Sequence, residues 1–146
     1  MNIEQIKAVE DVAELLQDSS LPTSDLKVDN NNFFFGIYDG DVLTSCVGVE
    51  VLGEIALLRS LAVLPSRQRK GDGAALVRHV EIFCASKGVK AIYLLTTTAT
   101  SYFSMFGYAS APRESVLESV KSTTQYSSVC PGSAKIMFKK LDPFYS

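Results

Sequence analysis

Between Arg67 and Ala74 the chain sets two glycines, Gly71 and Gly73, directly behind three cations, Arg67, Arg69 and Lys70. An apolar run ending Leu61-Ala62-Val63 comes before them, and the amphipathic pattern AALVRHVEIFCASK follows. Strand, basic turn and helix start, in that order, build a seat for an anion. The first N–H groups of a helix have no intrahelical acceptor and carry partial positive charge, so a phosphate there meets several donors at once. Glycine permits positive φ and lets the backbone approach a ligand closely. The chemistry on offer is binding of a phosphate or diphosphate. No G-x-x-x-x-G-K-[ST] sequence occurs, and no third glycine stands three residues after Gly73. A nucleotide P-loop and a dinucleotide fingerprint are therefore both poor descriptions.

Other side chains could act on a second reactant. Arg59 and Ser60 are neighbours on the strand that ends at Val63, so they face opposite sides of a sheet. An arginine there offers a fork suited to a carboxylate, phosphonate or arsonate, or else a salt bridge at the sheet surface. Thr96-Thr97-Thr98 close another apolar strand, where α/β sheets commonly bind ligands; capping of a helix by Thr98 is the simpler alternative. Glu50 and Glu54 are carboxylates near the Arg59 strand, readable as bases or as surface residues. Cys46, Cys84 and Cys130 are scattered and odd in number, with no C-x-x-C pair, and the chain has one histidine, His79. A zinc site needs about four ligands at close spacing, so no metal is expected. Cys46 and Cys84 fall within apolar strand and helix patterns and read as core residues.

The elements that position these groups are legible. The chain of 146 residues suits one domain, expected over 1–146, and 47% apolar content excludes a disordered chain. Residues 2–6 suggest a strand, and 8–19 a helix with Val9, Val12, Ala13, Leu15 and Leu16 on one face. Thr23 or Ser24 could cap a short turn. Strands are expected at 33–38, 42–52 and 55–63, linked by Asp39-Gly40 and Gly53-Glu54 in an antiparallel meander. The helix 71–87 carries the stripe Leu76, Val77, Val80, Phe83, Cys84, with Arg78, Glu81 and Lys87 off it, and Gly88 as cap. A buried strand over 89–95, parallel to its predecessor, a short helix near 100–106, a helix capped by Ser110 and a final strand over 135–141 complete the reading. Apolar runs fall far short of the ~20 residues of a membrane span. The acidic N-terminal pattern does not suit a signal peptide, so a cytoplasmic protein is expected. The net charge of −2 argues against nucleic acid as a partner.

Gln68-Arg69-Lys70-Gly71-Asp72-Gly73 fits Q/R-x-x-G-x-G/A behind a strand, and Tyr102-Phe103-Ser104-Met105-Phe106-Gly107-Tyr108 resembles F-Y-x-K-x-G-F. Together these motifs resemble the GCN5-related N-acetyltransferases, the GNAT superfamily, best over residues 33–108. The resemblance implies an α/β (α+β) fold: a mixed, mostly antiparallel sheet of about six or seven strands, about four flanking helices, and splayed fourth and fifth strands. It implies acetyl-CoA as co-substrate and a small-molecule amine as acceptor, with a homodimer a family-level expectation. Leu61, Ala62 and Val63 would pair with the pantetheine arm, the Leu61 backbone polarising the thioester. Gln68, Arg69, Lys70, Gly71, Asp72, Gly73 and Ala74 would cradle the diphosphate, with Arg67, Arg69 or Lys70 reaching the 3′-phosphate. Thr97, Tyr102 and Phe103 would line the coenzyme, while Arg59, Ser60 and Thr96 would meet the acceptor. Glu54 is the candidate base. The family's acid tyrosine falls at Phe103, which leaves Tyr102 as the substitute and makes a weakly active or inactive coenzyme-binding module the alternative.

Three blocks narrow the resemblance. Residues 56–63 (ALLRSLAV), 93–98 (YLLTTT) and 130–134 (CPGSA) look like a GNAT subgroup encoded in bacterial arsenic-resistance operons. That implies a bacterial origin and says little about the acceptor. Cys130 could line the acceptor site on the same resemblance.

Overall fold

Runs of β-branched and aromatic residues, broken by tight turns, give this chain a sheet as its frame. The computed structural model describes residues 3–6, 12, 13, 15, 32–68, 70–96, 99–111 and 135–141. Among these, seven strands make one mixed sheet: β1 (Ile3–Ile6), β2 (Asn32–Asp39), β3 (Val42–Leu52), β4 (Ile55–Val63), β5 (Ala91–Thr96), β6 (Ala109–Ala111) and β7 (Lys135–Lys140). Their spatial order is β1-β2-β3-β4-β5-β7-β6. The first four form the antiparallel meander that the turn residues predict, and β5 lies parallel to β4. Helix α1 (Asp72–Ser86) makes the crossover between them, and α2 (Thr100–Ser104) follows β5.

Strand alternation sorts the side chains into two layers. Phe35, Val47, Val49, Ala56, Leu58, Ile92, Leu94 and Met137 pack against Leu76, Val77, Val80 and Cys84 of α1. On the opposite face, Phe34, Leu43, Cys46 and Ala62 pack with Val12 and Leu15, which are helical as the periodicity predicts. Leu76, Val80 and Ile92 are wholly inaccessible, and each such side chain contributes about 1.5–3 kcal/mol through burial. The rest of the 8–19 helix and the turn near Thr23 and Ser24 lie outside the described residues.

Two expectations are corrected here. Glu81 is buried at 3% exposure, although its position in the helical pattern sets it off the apolar stripe. It accepts from Tyr108 Oη at 3.1 Å and from Lys139 Nζ at 3.2 Å, and this pairing offsets the cost of burying its charge. Ser110 is no helix cap; it lies in β6 opposite Met137, where ladder pairing with β7 outweighs the local signal from Pro112. The remainder of the predicted helix after Ser110 lies outside the described residues, as does Cys130.

Candidate functional site

A fault in one strand pairing makes the site. β4 and β5 pair only from Ile55↔Ala91 to Leu58↔Leu94. Beyond that, β5 stays with β7 as far as Thr96↔Lys135, and β4 stays with β3 as far as Val63↔Ser45. The two strands diverge, as the family resemblance implies. The divergence coincides with a bulge: Ser60 and Leu61 together stand opposite Val47, between the pairs Gly48↔Arg59 and Cys46↔Ala62. Ser60 takes φ 60°, an uncommon value for a residue with a side chain.

The bulge decides which backbone groups face the gap. Leu64 N–H donates to Thr44 O on β3 at 2.9 Å. Successive strand residues point their N–H and C=O to opposite edges, so Ala62 also faces β3, whereas Leu61 and Val63 face the gap. Gln68 Nε2 donates to Val63 O at 3.2 Å, which agrees with that orientation and ties the loop to the strand.

Below this edge lies a cleft of about 650 Å³, lined by Leu61, Val63, Arg67, Gln68, residues 71–74 and, across from them, Ala99, Tyr102, Phe103, Met105 and Phe106. That volume is within the usual range for small-molecule pockets. Gly71 takes φ 87° at the N-cap of α1, an angle costly for any residue with a Cβ, and its pro-side-chain direction meets nothing within 4 Å. Gly73 has a different reason to be glycine. A Cβ there would collide with Tyr102 Oη, so the hydroxyl of α2 sits against the first turn of α1. Burial pushes the Tyr102 hydroxyl pKa up from its ordinary value, which keeps it a donor.

A charged cluster fixes the loop. Asp72, at the first position of α1, is 1% exposed. Arg67 Nε donates to Oδ2 at 3.1 Å, Arg67 Nη2 to Oδ1 at 3.2 Å, and Ser45 Oγ to Oδ2 at 3.0 Å. A carboxylate in the first turn also suits the helix dipole. The carboxylate of Asp72 therefore turns inward, and what the residue offers the cleft is its backbone N–H.

The structure brings together Leu61, Val63, Gln68, Gly71, Asp72, Gly73, Ala74, Tyr102 and Phe103 around the cleft. Ala62 lies beside them with its side chain in the opposite cluster, and Lys70 is exposed on the loop. Arg69 and Thr97 fall outside the described residues. Phe103 is 6% exposed, with its ring 5.9 Å from Tyr108, so the substitution at the family's tyrosine position serves the core. Arg59 is buried on the face opposite α1, where its Nε donates to Ser60 Oγ at 3.0 Å. Glu50 shares that face by strand parity.

One candidate is corrected. Glu54 sits in the β3–β4 turn, paired with Lys90 at 3.4 Å, with both side chains about three-quarters exposed. It is seven residues before Leu61 on an extended strand, about 20 Å away, too far to serve as base. Thr96 Oγ1 accepts Ala99 N–H at 2.9 Å and so caps the turn into α2, a role compatible with the hydroxyl donating to a second partner. Sequence reasoning missed Ser45, whose signal was a polar residue at the same parity as Val47 and Val49. It also missed Ala99 and Phe106 as cleft lining. Among the described residues no group of three or more His, Cys, Asp or Glu could hold a metal, and no helix is long and apolar enough to cross a membrane.

Comparison with known proteins adds to the geometry. Residues 3–108 match the acetyltransferase (GNAT) family. An uncharacterised N-acetyltransferase of Chlorobaculum tepidum is 32% identical over 83 residues, 57% of this chain and 53% of that protein. An amino-acid acetyltransferase of Ralstonia nicotianae is 33% identical over 91 residues, 59% of this chain and 19% of that protein. The matches thus span about half of the first relative and a fifth of the second. Among solved structures, Tetrahymena GCN5 superposes with a TM-score of 0.80 at 14% identity, covering 99% of this chain and 98% of that one. The N-acetylglutamate synthase of Neisseria gonorrhoeae, complexed with coenzyme A and N-acetyl-glutamate, gives 0.73 at 17% identity, over 97% of this chain and 36% of that one.

Proposed function

Since this chain belongs to the acetyltransferase (GNAT) family, we propose that it transfers the acetyl group of acetyl-CoA to the amine of a small, anionic, amino-acid-like molecule. Transfer is by direct attack in a ternary complex. The observation that carries this reading is the edge of β4 beyond Leu58, which pairs with no other strand on the β5 side among the described residues and faces a cleft that ends at the N-terminus of α1. The residues fit the coenzyme. Leu61 and Val63 offer backbone groups to an amide-bearing arm, and the glycine-framed helix start offers N–H groups to a diphosphate.

When bound, acetyl-CoA supplies an activated thioester. Leu61 N–H donates to its carbonyl oxygen, stabilising negative charge as the acceptor nitrogen bonds to the carbonyl carbon and the carbon–sulfur bond breaks. Tyr102, held protonated by burial, is the donor to the departing thiolate. Its hydroxyl lies against Gly73 at the head of α1, and catalytic hydrogen bonds commonly tighten only in the complex. Glu50 takes the proton that the amine loses. Arg59, on the face opposite α1, holds the acceptor's acidic group, so the two reactants approach the gap from opposite faces of the sheet.

The N-acetyl-glutamate bound by the Neisseria synthase and the amino-acid acetyltransferase of Ralstonia support an acidic amino-acid-like acceptor. The likeness to the arsenic-resistance subgroup adds amino-bearing arsonates and phosphonates to the panel. Titration calorimetry with acetyl-CoA, followed by thiol release across that panel, tests the reading. Gly71→Trp should abolish coenzyme binding; wild-type protein that binds no acetyl-CoA would overturn it.

A further inference from the structure

Arg67, one of three loop cations that the family resemblance offers to the 3′-phosphate, is held in an arrangement of its own. A guanidinium has two forked edges, one made by Nε with an Nη, the other by the two Nη nitrogens. Asp72 occupies the first edge completely, with Nε to Oδ2 at 3.1 Å and Nη2 to Oδ1 at 3.2 Å. Nη1 has no acceptor among the described residues, and Arg67 itself lines the cleft beside Gln68, Gly71 and Gly73 with its side chain 36% exposed.

The clamp on Arg67 is rigid. The Asp72 side chain is fully buried. It belongs to the first residue of a 15-residue helix and is braced from β3 by Ser45 Oγ at 3.0 Å. A long side chain that ordinarily loses much rotamer freedom on binding is thus ordered before any ligand arrives. Asp72 also shields its own charge. A carboxylate at the head of α1 would repel an incoming phosphate, yet both oxygens are directed inward onto donors.

We propose that Asp72 is a positioning residue that presents the outer edge of the Arg67 guanidinium to a phosphate of the coenzyme, and that Arg67 is a specificity residue for the phosphorylated form. This rests on reading the cleft as the coenzyme's seat. Two phosphate sources share the chemistry, the diphosphate and the 3′-phosphate, and the ligands used in the test separate them.

The test is titration calorimetry of the full chain with CoA, 3′-dephospho-CoA and pantetheine, with a melting curve for each variant. Arg67→Lys keeps the charge and loses the fork. It should weaken CoA about tenfold or more and leave pantetheine unchanged. A loss that persists with 3′-dephospho-CoA assigns the contact to the diphosphate, and one that vanishes assigns it to the 3′-phosphate. Asp72→Asn keeps one acceptor of two and turns an amide donor towards the guanidinium. It should cost CoA several-fold, and the double variant should lose no more than Arg67→Lys alone. If Asp72→Asn does not fold, the CoA-to-pantetheine ratio of Arg67→Lys decides. A wild-type ratio in Arg67→Lys, or tighter CoA in Asp72→Asn, overturns the assignment while leaving the coenzyme reading intact. Wild-type protein that binds neither ligand overturns both.

Discussion

Helix α1 buries two carboxylates, and they differ in what neutralises them. Asp72 at its head is 1% exposed and Glu81, two and a half turns on, is 3% exposed. Glu81 is met by Tyr108 and by Lys139, whose ammonium also lies 5.8 Å over the Tyr108 ring. That cluster joins α1 to the start of β6 and to β7, away from the cleft lining. Asp72 is met by a cation that borders the cleft and whose Nη1 has no acceptor among the described residues. A buried acid whose partners are enclosed with it acts as a fastener. One whose partner looks outward can set that partner for a ligand.

The contrast can be broken most forcefully at Glu81. Glu81→Ala leaves Lys139 without its carboxylate in a mostly buried setting, a change that typically costs about 3 kcal/mol or more. For a chain of this size that is a fall in melting temperature of roughly 6–12 °C. Coenzyme affinity should not change; a parallel loss of affinity would mean that the two clusters are one unit. A middling effect is expected at Gly73. Gly73→Ala drives Tyr102 off the head of α1 and should weaken the coenzyme about tenfold, in line with the cost of overpacking. Adding Tyr102→Phe should restore most of that affinity, since the offending atom is Oη and the next, Cζ, would lie 3.3 Å from the new methyl group. No recovery would show that the helix start itself had been spoiled.

The smallest effect concerns Cys84. Its thiol is pushed up to about 12, first by burial and then by the charge of Glu81. Cys46 reaches about 12 through burial, eased slightly by its hydrogen bond to the backbone. Both folded values exceed the ordinary 9.0, so the stability the two thiols contribute is complete below about pH 9 and is lost as pH rises towards 12. Glu81→Gln should lower the Cys84 value modestly and leave that of Cys46 alone, as read by alkylation rate against pH at each cysteine. An equal change at both thiols would point to general loosening.

How much of this was legible in the sequence depended on range. β2 to β4 could be read because two-residue turns and β-branched runs are local signals, and α1 because its stripe repeats every few residues. The positive φ of Gly71 was legible too, because a glycine between a basic turn and a helix start is a local signal. Glu81 was misread because its partners stand 27 and 58 residues away and leave no periodic trace in the helix. Glu54 was misread because closeness in sequence is distance along an extended strand. The divergence of β4 from β5 came from family resemblance alone, since nothing local announces that pairing stops after Leu58. Gly73 had the expected identity, with Tyr102 as its cause.

The short β4–β5 pairing also bears on solubility. An unpaired strand edge is ordinarily an invitation to aggregate, because any extended chain can add to it. Here the unpaired stretch lies in the interior of the sheet, in a wedge that narrows to ordinary strand spacing at Leu58. The gap is bounded on both sides by strands of the same sheet, so an incoming chain has to enter between them. Donors left open on an interior strand edge are thus less exposed to other chains than those on the outer strands β1 and β6.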